Sequence, residues 1–218
     1  MAQAKSENND SMEMVPPLSP RLDFFASQTR RLYISGPILP SNASQIVPTL
    51  QLLSITDEPV YIYINSPGGD VASGYAIIDQ ILLMKNIINT IVIGEAFSMS
   101  AMLCAYGTKG YRFGTKNSTF MLHDISYAPN PDYIGHQHKS VEFVSKTAKE
   151  RDRDLAKRLK ISLDELRTLN TQSHWMSCKN AIKIGLIDGL WTPDKEQAIN
   201  SAYAKHVALQ NFNGEGNE

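Results

Sequence analysis

An α/β protein with a largely parallel sheet is the fold that this sequence of 218 residues predicts. Short runs of β-branched and apolar residues alternate with longer segments whose apolar residues recur at helical spacing. This alternation is typical of parallel sheets whose strands are joined by helices. A chain of this length can bury one sizeable core. We therefore expect one domain over residues 21–204.

The expected elements follow one another along that domain. The strands are predicted at residues 32–35, 60–65, 90–93 and 119–122. The helices are predicted at residues 41–53, at 71–85, from Ser98 onwards, at 136–160 and near 162–166. Pro48 should interrupt or bend the first helix, because proline removes an intrahelical hydrogen bond. Residues 1–20 at one end are polar and punctuated by proline, and residues 205–218 at the other end terminate in Asn-Gly-Glu-Gly-Asn-Glu. Both are expected to be flexible.

Composition and charge exclude several classes of protein. A net charge of −1 argues against nucleic acid or an anionic membrane as the main partner. No apolar run reaches the length of a membrane span, and the N-terminus lacks the layout of a secretory signal. Cys104 and Cys178 are isolated in the sequence, which fits reduced thiols better than a disulfide framework. We therefore expect a cytoplasmic protein without a metal or another cofactor.

Ser98 is the first candidate for chemistry. It follows a β-branched strand and Gly94, and an apolar helical segment begins at it. A serine at such a strand-to-helix turn can direct its hydroxyl into a cleft, beside the unpaired N–H groups at the start of the helix. An acyl-transfer nucleophile needs this arrangement. The same pattern is also typical of a serine that only caps a helix.

Two further segments favour the catalytic interpretation. Residues 60–65 form an apolar strand that leads into Ser66-Pro67-Gly68-Gly69, where glycines allow close approach of the backbone to a ligand. Residues 120–122 form an apolar strand that ends at His123. Ser98 comes 30 residues after Gly68, and His123 comes 25 residues after Ser98.

This ordered set of motifs, together with Gly-Leu-Ile-Asp at residues 185–188, resembles the ClpP family. Members of that family are self-compartmentalised serine peptidases that work with AAA+ unfoldases. The resemblance runs from about Arg30 to Trp191. It implies a ClpP/crotonase-type fold of repeated β-β-α units, with residues 136–160 as a projecting handle helix where two heptameric rings meet.

The resemblance also implies the roles of individual residues. Ser98 would be the nucleophile and His123 the general base, and the N–H groups of Gly69 and Met99 would form the oxyanion hole. Ser100 lies two positions beyond the nucleophile, where the family has glycine, and is interpreted as a small packing residue. Phe97 stands where the family has alanine, and we expect it to narrow the pocket beside the nucleophile.

The third catalytic position departs from the family. Alignment through Gly-Leu-Ile-Asp puts Ser173 where the family has an aspartate, and no acidic residue occurs from Leu166 to Lys183. A hydroxyl can fix the histidine tautomer, but it cannot stabilise an imidazolium by charge. Loss of the carboxylate costs about 10⁴ in rate in the best-studied triad. Asn170 is a substitute candidate, because an amide oxygen orients histidine in papain-like sites.

The partners come from the resemblance alone. We expect stacked heptameric rings of this chain, an AAA+ unfoldase such as ClpX or ClpA, and in one arrangement a ClpP paralogue. Tyr63 and Leu83 stand where the family binds the docking loops of the unfoldase.

Three interpretations follow. The first is a serine endopeptidase that degrades proteins delivered by an unfoldase. The second is a catalytically weakened structural or regulatory ring subunit that assembles with an active paralogue. Ser173 favours this interpretation, because it stands where the family has an aspartate. The third is an enoyl-CoA hydratase of the same fold. The third is disfavoured because Glu95 alone lies near the site and no segment resembles one that binds CoA.

Overall fold

A computed structural model describes residues 28–128, 133–171 and 173–214, with side chains to residue 208. It contains a seven-stranded sheet. The strands are β1 (Arg31–Ser35), β2 (Val60–Ser66), β3 (Ile88–Phe97), β4 (Arg112–Gly114), β5 (Thr119–Leu122), β6 (His174–Ser177) and β7 (Gly189–Leu190). The helices are α1 (Pro40–Leu53), α2 (Val71–Leu83), α3 (Met99–Ala105), α4 (Ile134–Leu159), α5 (Leu163–Thr171), α6 (Cys178–Lys183) and α7 (Pro193–Gly214).

The sheet is parallel apart from one strand, which confirms the predicted α/β class. Its strands are ordered β1-β2-β3-β4-β7, while β5 pairs with the end of β3 and with β6. Only β6 runs antiparallel, against β5. The long β3 therefore serves two neighbours, β4 beside Thr90–Val92 and β5 beside Glu95–Phe97.

The main core lies between one face of the sheet and the helices α1, α2 and α3. β1 and β2 contribute alternate aliphatic residues to it, as expected for strands with one face packed against helices. Pro48 lies inside α1 without ending it, although an interruption or bend was predicted there. The prediction did not include the short strands β4, β6 and β7.

A buried ion pair joins the start of β4 to the turn before β7. Arg112 donates from Nε and from a terminal nitrogen to the two carboxylate oxygens of Asp188, at 2.8 and 2.6 Å. The backbone N–H groups of Gly110 and Arg112 also donate to this carboxylate. Burial alone would raise the pKa of Asp188, but the hydrogen bonds and charge of Arg112 hold it below its usual range.

The helix α4 spans Ile134–Leu159, close to the predicted 136–160. Its last turns are anchored in the core by Leu155, Ala156 and Leu159. Its first half is not covered, since the side chain of Phe143 is 70% exposed and that of Val141 46%. Among the described residues, no helix is both long and apolar enough to cross a membrane.

The two ends of the chain differ. Residues 1–20, expected to be flexible, lie outside the described residues. The final helix α7 continues to Gly214, past position 205 where the flexible tail was predicted to begin. It packs on the other face of the sheet, where Ile199 joins a second, smaller cluster with Tyr61, Ile91 and Phe113.

Candidate active site

The three sequence motifs meet because each follows the carboxyl end of a parallel strand. The Pro-Gly-Gly turn follows β2, Ser98 follows β3 and His123 follows β5. Ser66 pairs with Ala96, and the N–H of Ser98 donates to the carbonyl of Met121 at 2.8 Å. Parallel strands end at one edge of the sheet, which is where α/β proteins bind ligands.

Ser98 adopts an unusual backbone conformation between β3 and α3. Its φ is 55° and its ψ is −123°, in a region that side chains other than glycine rarely occupy. Strain of this kind is typical of the turn that presents a catalytic nucleophile. The side chain is half-buried, and its Oγ lies 2.7 Å from Nε2 of His123. This distance suits proton transfer between the two groups.

Gly68 makes that turn possible. A Cβ atom on Gly68 would lie 2.5 Å from the carbonyl oxygen of Phe97 and 2.9 Å from the Cβ of Ser98. Its φ is +92°, a conformation that glycine accepts without strain. The Pro-Gly-Gly segment can therefore lie directly against the turn that carries Ser98.

Gly69 is held in place by the segment after β1. The N–H of Ile38 donates to the carbonyl of Gly68 at 2.7 Å, and the N–H of Asp70 donates to the carbonyl of Ile38 at 2.8 Å. The N–H of Gly69 takes part in neither bond. Within residues 28–128, 133–171 and 173–214, no backbone or side-chain acceptor is bonded to the N–H of Gly69 or of Met99. Both donors are thus available to an oxyanion.

Ser100 has a structural role in this arrangement. Its side chain is completely buried, and its Oγ lies 2.6 Å from the carbonyl oxygen of Ser66 and 2.8 Å from that of Phe97. The hydroxyl therefore links the ends of β2 and β3. This contact agrees with the prediction of a small packing residue and leaves Ser98 as the accessible hydroxyl.

Ser173 lies one residue beyond the end of the pairing between β5 and β6. The last pair joins Leu122 to His174, so the same register continued by one residue sets Ser173 across from His123. The side chain of Ser173 is exposed, and its φ of 46° is not extended, so β6 begins only at His174. Among the described residues, no hydrogen bond joins Ser173 to His123.

Asn170 connects the segment after His123 to the end of α5. Its carbonyl accepts from the N–H of Asp124 at 3.3 Å and from that of Ser173 at 3.2 Å. Its buried side chain donates to Oδ1 of Asp152 at 3.4 Å. Asn170 therefore lies beside the site. Its amide bonds to a carboxylate and, within the described part of the chain, not to His123.

Asp152 is the acidic group that sequence reasoning missed. It belongs to a run of alternating basic and acidic residues at 149–154, a pattern typical of a solvated helix face, but it is half-buried against Asn170 in the structure. Burial raises the pKa of Asp152, the nearby charge of Asp124 raises it further, and Arg167 opposes both effects. No local pattern distinguishes Asp152 from the exposed acids of α4, because the contact depends on how α4 and α5 pack.

Phe97 ends β3, directly before Ser98, and contacts β6. Its ring meets that of Trp175 on β6 edge to face, with centroids 4.7 Å apart. Trp175 itself is 61% exposed. This aromatic pair joins the end of β3 to β6, and the narrowing of the pocket by Phe97 stays a prediction.

The two residues expected to bind the docking loops of an unfoldase lie on β2 and at the end of α2. Tyr63 is on β2, stacks on Tyr33 and has its hydroxyl 3.4 Å from a carboxylate oxygen of Glu196 on α7. Leu83 ends α2 and is 79% exposed. Tyr63 is thus already in contact with the C-terminal helix.

Comparison with known proteins agrees with this geometry. The sequence model of the family described as Clp protease matches residues 24–194. The chain is 32% identical over 165 residues to the ATP-dependent Clp protease proteolytic subunit of Lactococcus lactis, which covers 73% of this chain and 81% of that protein. It is 34% identical over 175 residues to the subunit of the same name in Carsonella ruddii, with 78% and 88% covered. A similar subunit from Streptococcus thermophilus is 30% identical over 166 residues, with 75% and 85% covered. The chain therefore belongs to the Clp protease family, a family of serine endopeptidases.

Proposed function

We propose that this chain is the proteolytic subunit of an ATP-dependent Clp-type protease that cleaves peptides and unfolded proteins through a Ser98 acyl-enzyme. The distance of 2.7 Å between Oγ of Ser98 and Nε2 of His123 carries the proposal. The neighbouring N–H groups and the family support it. The close Ser–His pair favours an active subunit over the catalytically weakened alternative.

In the proposed reaction, Oγ of Ser98 attacks the carbonyl carbon of the scissile peptide bond. Nε2 of His123 accepts the hydroxyl proton and then delivers it to the leaving amine. The N–H groups of Gly69 and Met99 stabilise the oxyanion of the tetrahedral intermediate. Water, activated by the same histidine, then hydrolyses the ester and restores Ser98.

The orienting group is the weakest part of this proposed site. Ser173 and Asn170 are both neutral, so neither balances the charge of an imidazolium. We therefore expect the chain to turn over peptides slowly compared with a relative that has a carboxylate at this position. The available oxyanion donors still provide catalysis, since such donors contribute about 10²–10³ in kcat.

The proposed assembly is a pair of stacked heptameric rings that receives unfolded chains from an AAA+ unfoldase such as ClpX or ClpA. The exposed apolar side chains on the first half of α4 support assembly, since large exposed apolar surfaces mark protein interfaces. The proposed compartment is the cytoplasm. Cys104 and Cys178 are unpaired and buried, which fits a reducing setting.

The nucleophile is tested by paired variants of the two serines. Ser98→Ala should abolish peptide cleavage and labelling by a fluorophosphonate probe, by analogy with the loss of about 10⁶ in kcat on removing such a nucleophile. Ser100→Ala should retain a substantial fraction of both, because its hydroxyl only links two strand ends. Mass spectrometry of the labelled peptide identifies the modified serine. Labelling of Ser100, or activity that survives in Ser98→Ala, would show that the proposed nucleophile is wrong.

A further inference from the structure

The backbone of Asn170 joins two segments that meet beside His123. Asn170 lies in the last turn of α5, and its carbonyl accepts from the N–H of Asp124 at 3.3 Å and from that of Ser173 at 3.2 Å. Asp124 directly follows His123, and Ser173 stands across from His123 in the continued register of β5 and β6. The position of Asn170 therefore affects both the proposed base and the place where the family has its aspartate.

The side chain of Asn170 is held by an acidic residue from another helix. Asp152 comes from α4, and its Oδ1 lies 3.4 Å from Nδ2 of Asn170. Asn170 is only 6% exposed and Asp152 is half-buried, so the contact is largely shielded from solvent. A hydrogen bond to a charged group gains strength where water is excluded. Asp152 is therefore well placed to fix the side chain of Asn170.

The carboxylate of Asp152 decides which way the amide of Asn170 faces. A carboxylate only accepts hydrogen bonds, whereas an amide has a donor end and an acceptor end. Asp152 therefore bonds to the –NH₂ group of Asn170, and the carbonyl oxygen of the same planar amide faces away from Asp152. A neutral group at position 152 that could both donate and accept would not select this orientation.

The orientation of this amide determines what it can offer to His123. Nε2 of His123 has to accept the proton of Ser98, so the other ring nitrogen, Nδ1, has to carry a proton before the reaction. An amide oxygen accepts from Nδ1–H and stabilises this tautomer. An amide –NH₂ group would instead donate to Nδ1 and stabilise the tautomer with its proton on Nε2, which cannot act as the base.

We propose that Asp152 is a positioning residue for the peptidase reaction and acts on His123 through Asn170. When substrate is bound, Nδ1 of His123 donates to Oδ1 of Asn170, and Nδ2 of Asn170 donates to Asp152. The bond between His123 and Asn170 forms on substrate binding, since catalytic hydrogen bonds are often long or poorly aligned in the free enzyme.

The charge of Asp152 adds to this effect. It polarises the amide of Asn170 and stabilises the imidazolium of His123 from one residue further away than a direct carboxylate would, and so more weakly. Asp152 and Asn170 together then supply part of what the aspartate at position 173 supplies in the family. This inference rests on the proposed function, because it concerns how His123 acts on Ser98.

Removal of the charge in the full-length chain tests the proposal. Asp152→Asn keeps the shape of the side chain, and hydrolysis of a short fluorogenic peptide should show kcat lowered about tenfold with KM little changed. Loss of an outer partner of a metal-bound histidine costs about 10- to 100-fold, which is the basis of this estimate. Asp154→Asn is the matched control, because it makes the same change two residues along α4 at an exposed position, and it should change neither constant.

Two double variants separate positioning from a general loss of structure. Ser173→Asp gives His123 a carboxylate of its own, so Asp152→Asn should have little effect in that background. It should also have little effect in the Asn170→Ala background, because the residue through which Asp152 acts is then absent. A purely structural loss would lower kcat by the same factor in the parent and in both backgrounds.

The proposal is overturned if Asp152→Asn keeps the kcat of the parent, or if it lowers kcat equally in the parent and in both backgrounds. Fluorophosphonate labelling of Ser98 in the parent tests the proposed function itself. If Ser98 is labelled and Asp152→Asn has no effect, this inference alone fails. If the parent is not labelled at Ser98, the proposed function fails and this inference fails with it.

Discussion

Introduction of a carboxylate at position 173 should increase activity. Ser173→Asp places the acid one residue beyond the last pair of β5 and β6, across from His123. The backbone accepts this change, because aspartate tolerates the φ of 46° that Ser173 already has. The variant therefore tests the missing charge without a new strain in the turn.

The magnitude follows from the distance between cross-strand neighbours, whose Cβ atoms are about 5 Å apart. Opposite charges at about 5 Å, near a protein surface with an effective dielectric constant of about 20, attract by about 3 kcal/mol. Such stabilisation of the imidazolium in the transition state corresponds to about 10² in rate. Because position 173 is exposed, solvent reduces the effect, and we expect kcat/KM to rise between about 10-fold and 10²-fold, below the ceiling of about 10⁴.

The assay is hydrolysis of a short fluorogenic peptide, with Ser173→Asn as the matched control. Asparagine has nearly the same shape and tolerance of positive φ as aspartate but no charge, so it should give little gain. Asn170→Ala in the parent should lower the remaining activity if that amide orients His123. Equal gains from aspartate and asparagine would refute the electrostatic reasoning. A gain from Asn170→Asp in the absence of one from Ser173→Asp would show that the alignment of this segment is shifted.

Three further predictions concern the ion pair, the glycine turn and the assembly. Asp188→Asn should lower the free energy of unfolding by about 3–5 kcal/mol, because Arg112 is left buried without its partner. Asp164→Asn, at an exposed position, is the control and should change the free energy of unfolding by less than about 0.5 kcal/mol. Since the pKa of Asp188 is lowered by folding, its contribution is present above its unfolded pKa of about 3.9 and is lost as the pH falls through the folded value. Urea titrations at one protein concentration should show the difference shrinking below pH 4, and an undiminished difference at pH 2 would contradict the assignment. Gly68→Ala should reduce the labelling rate of Ser98 by about 10² or more, since the new Cβ displaces the turn, and a normal rate would mean that the close contact is not required. Phe143→Asp should dissociate the proposed stacked rings in analytical ultracentrifugation, and an unchanged mass would exclude α4 as the proposed ring contact.

The strands that position the three motifs can be predicted from the sequence. The apolar runs before Gly68, Ser98 and His123 are long or β-branched enough to be recognised as strands, and all three appear as β2, β3 and β5. The long helix was predicted within two residues because its periodicity extends over many turns. Strong local patterns of this kind survive in the fold because tertiary packing reinforces them.

The missed elements lack such patterns. The strand β7 has two residues and β4 has three, too short for alternation to be detected. They form because Arg112 and Asp188 fix their positions, which is a contact between residues far apart in the chain. The position of α7 depends on a contact of the same type, since Ile199 has no apolar stripe around it and is buried only because it meets Tyr61, Ile91 and Phe113.

The same distinction explains why the sequence predicts a candidate nucleophile and base that lie together, while the orienting group stays open. Gly68, Ser98 and His123 follow parallel strands, and parallel strands of one sheet end at one edge, so adjacency of β2, β3 and β5 is enough to bring the three together. The third position comes from the opposite direction, between the end of α5 and the start of the antiparallel strand β6. Its approach to His123 depends on a register that a shift of one residue would change. An alignment alone therefore does not decide whether Ser173 or Asn170 orients His123. Substitution at each of the two positions decides it.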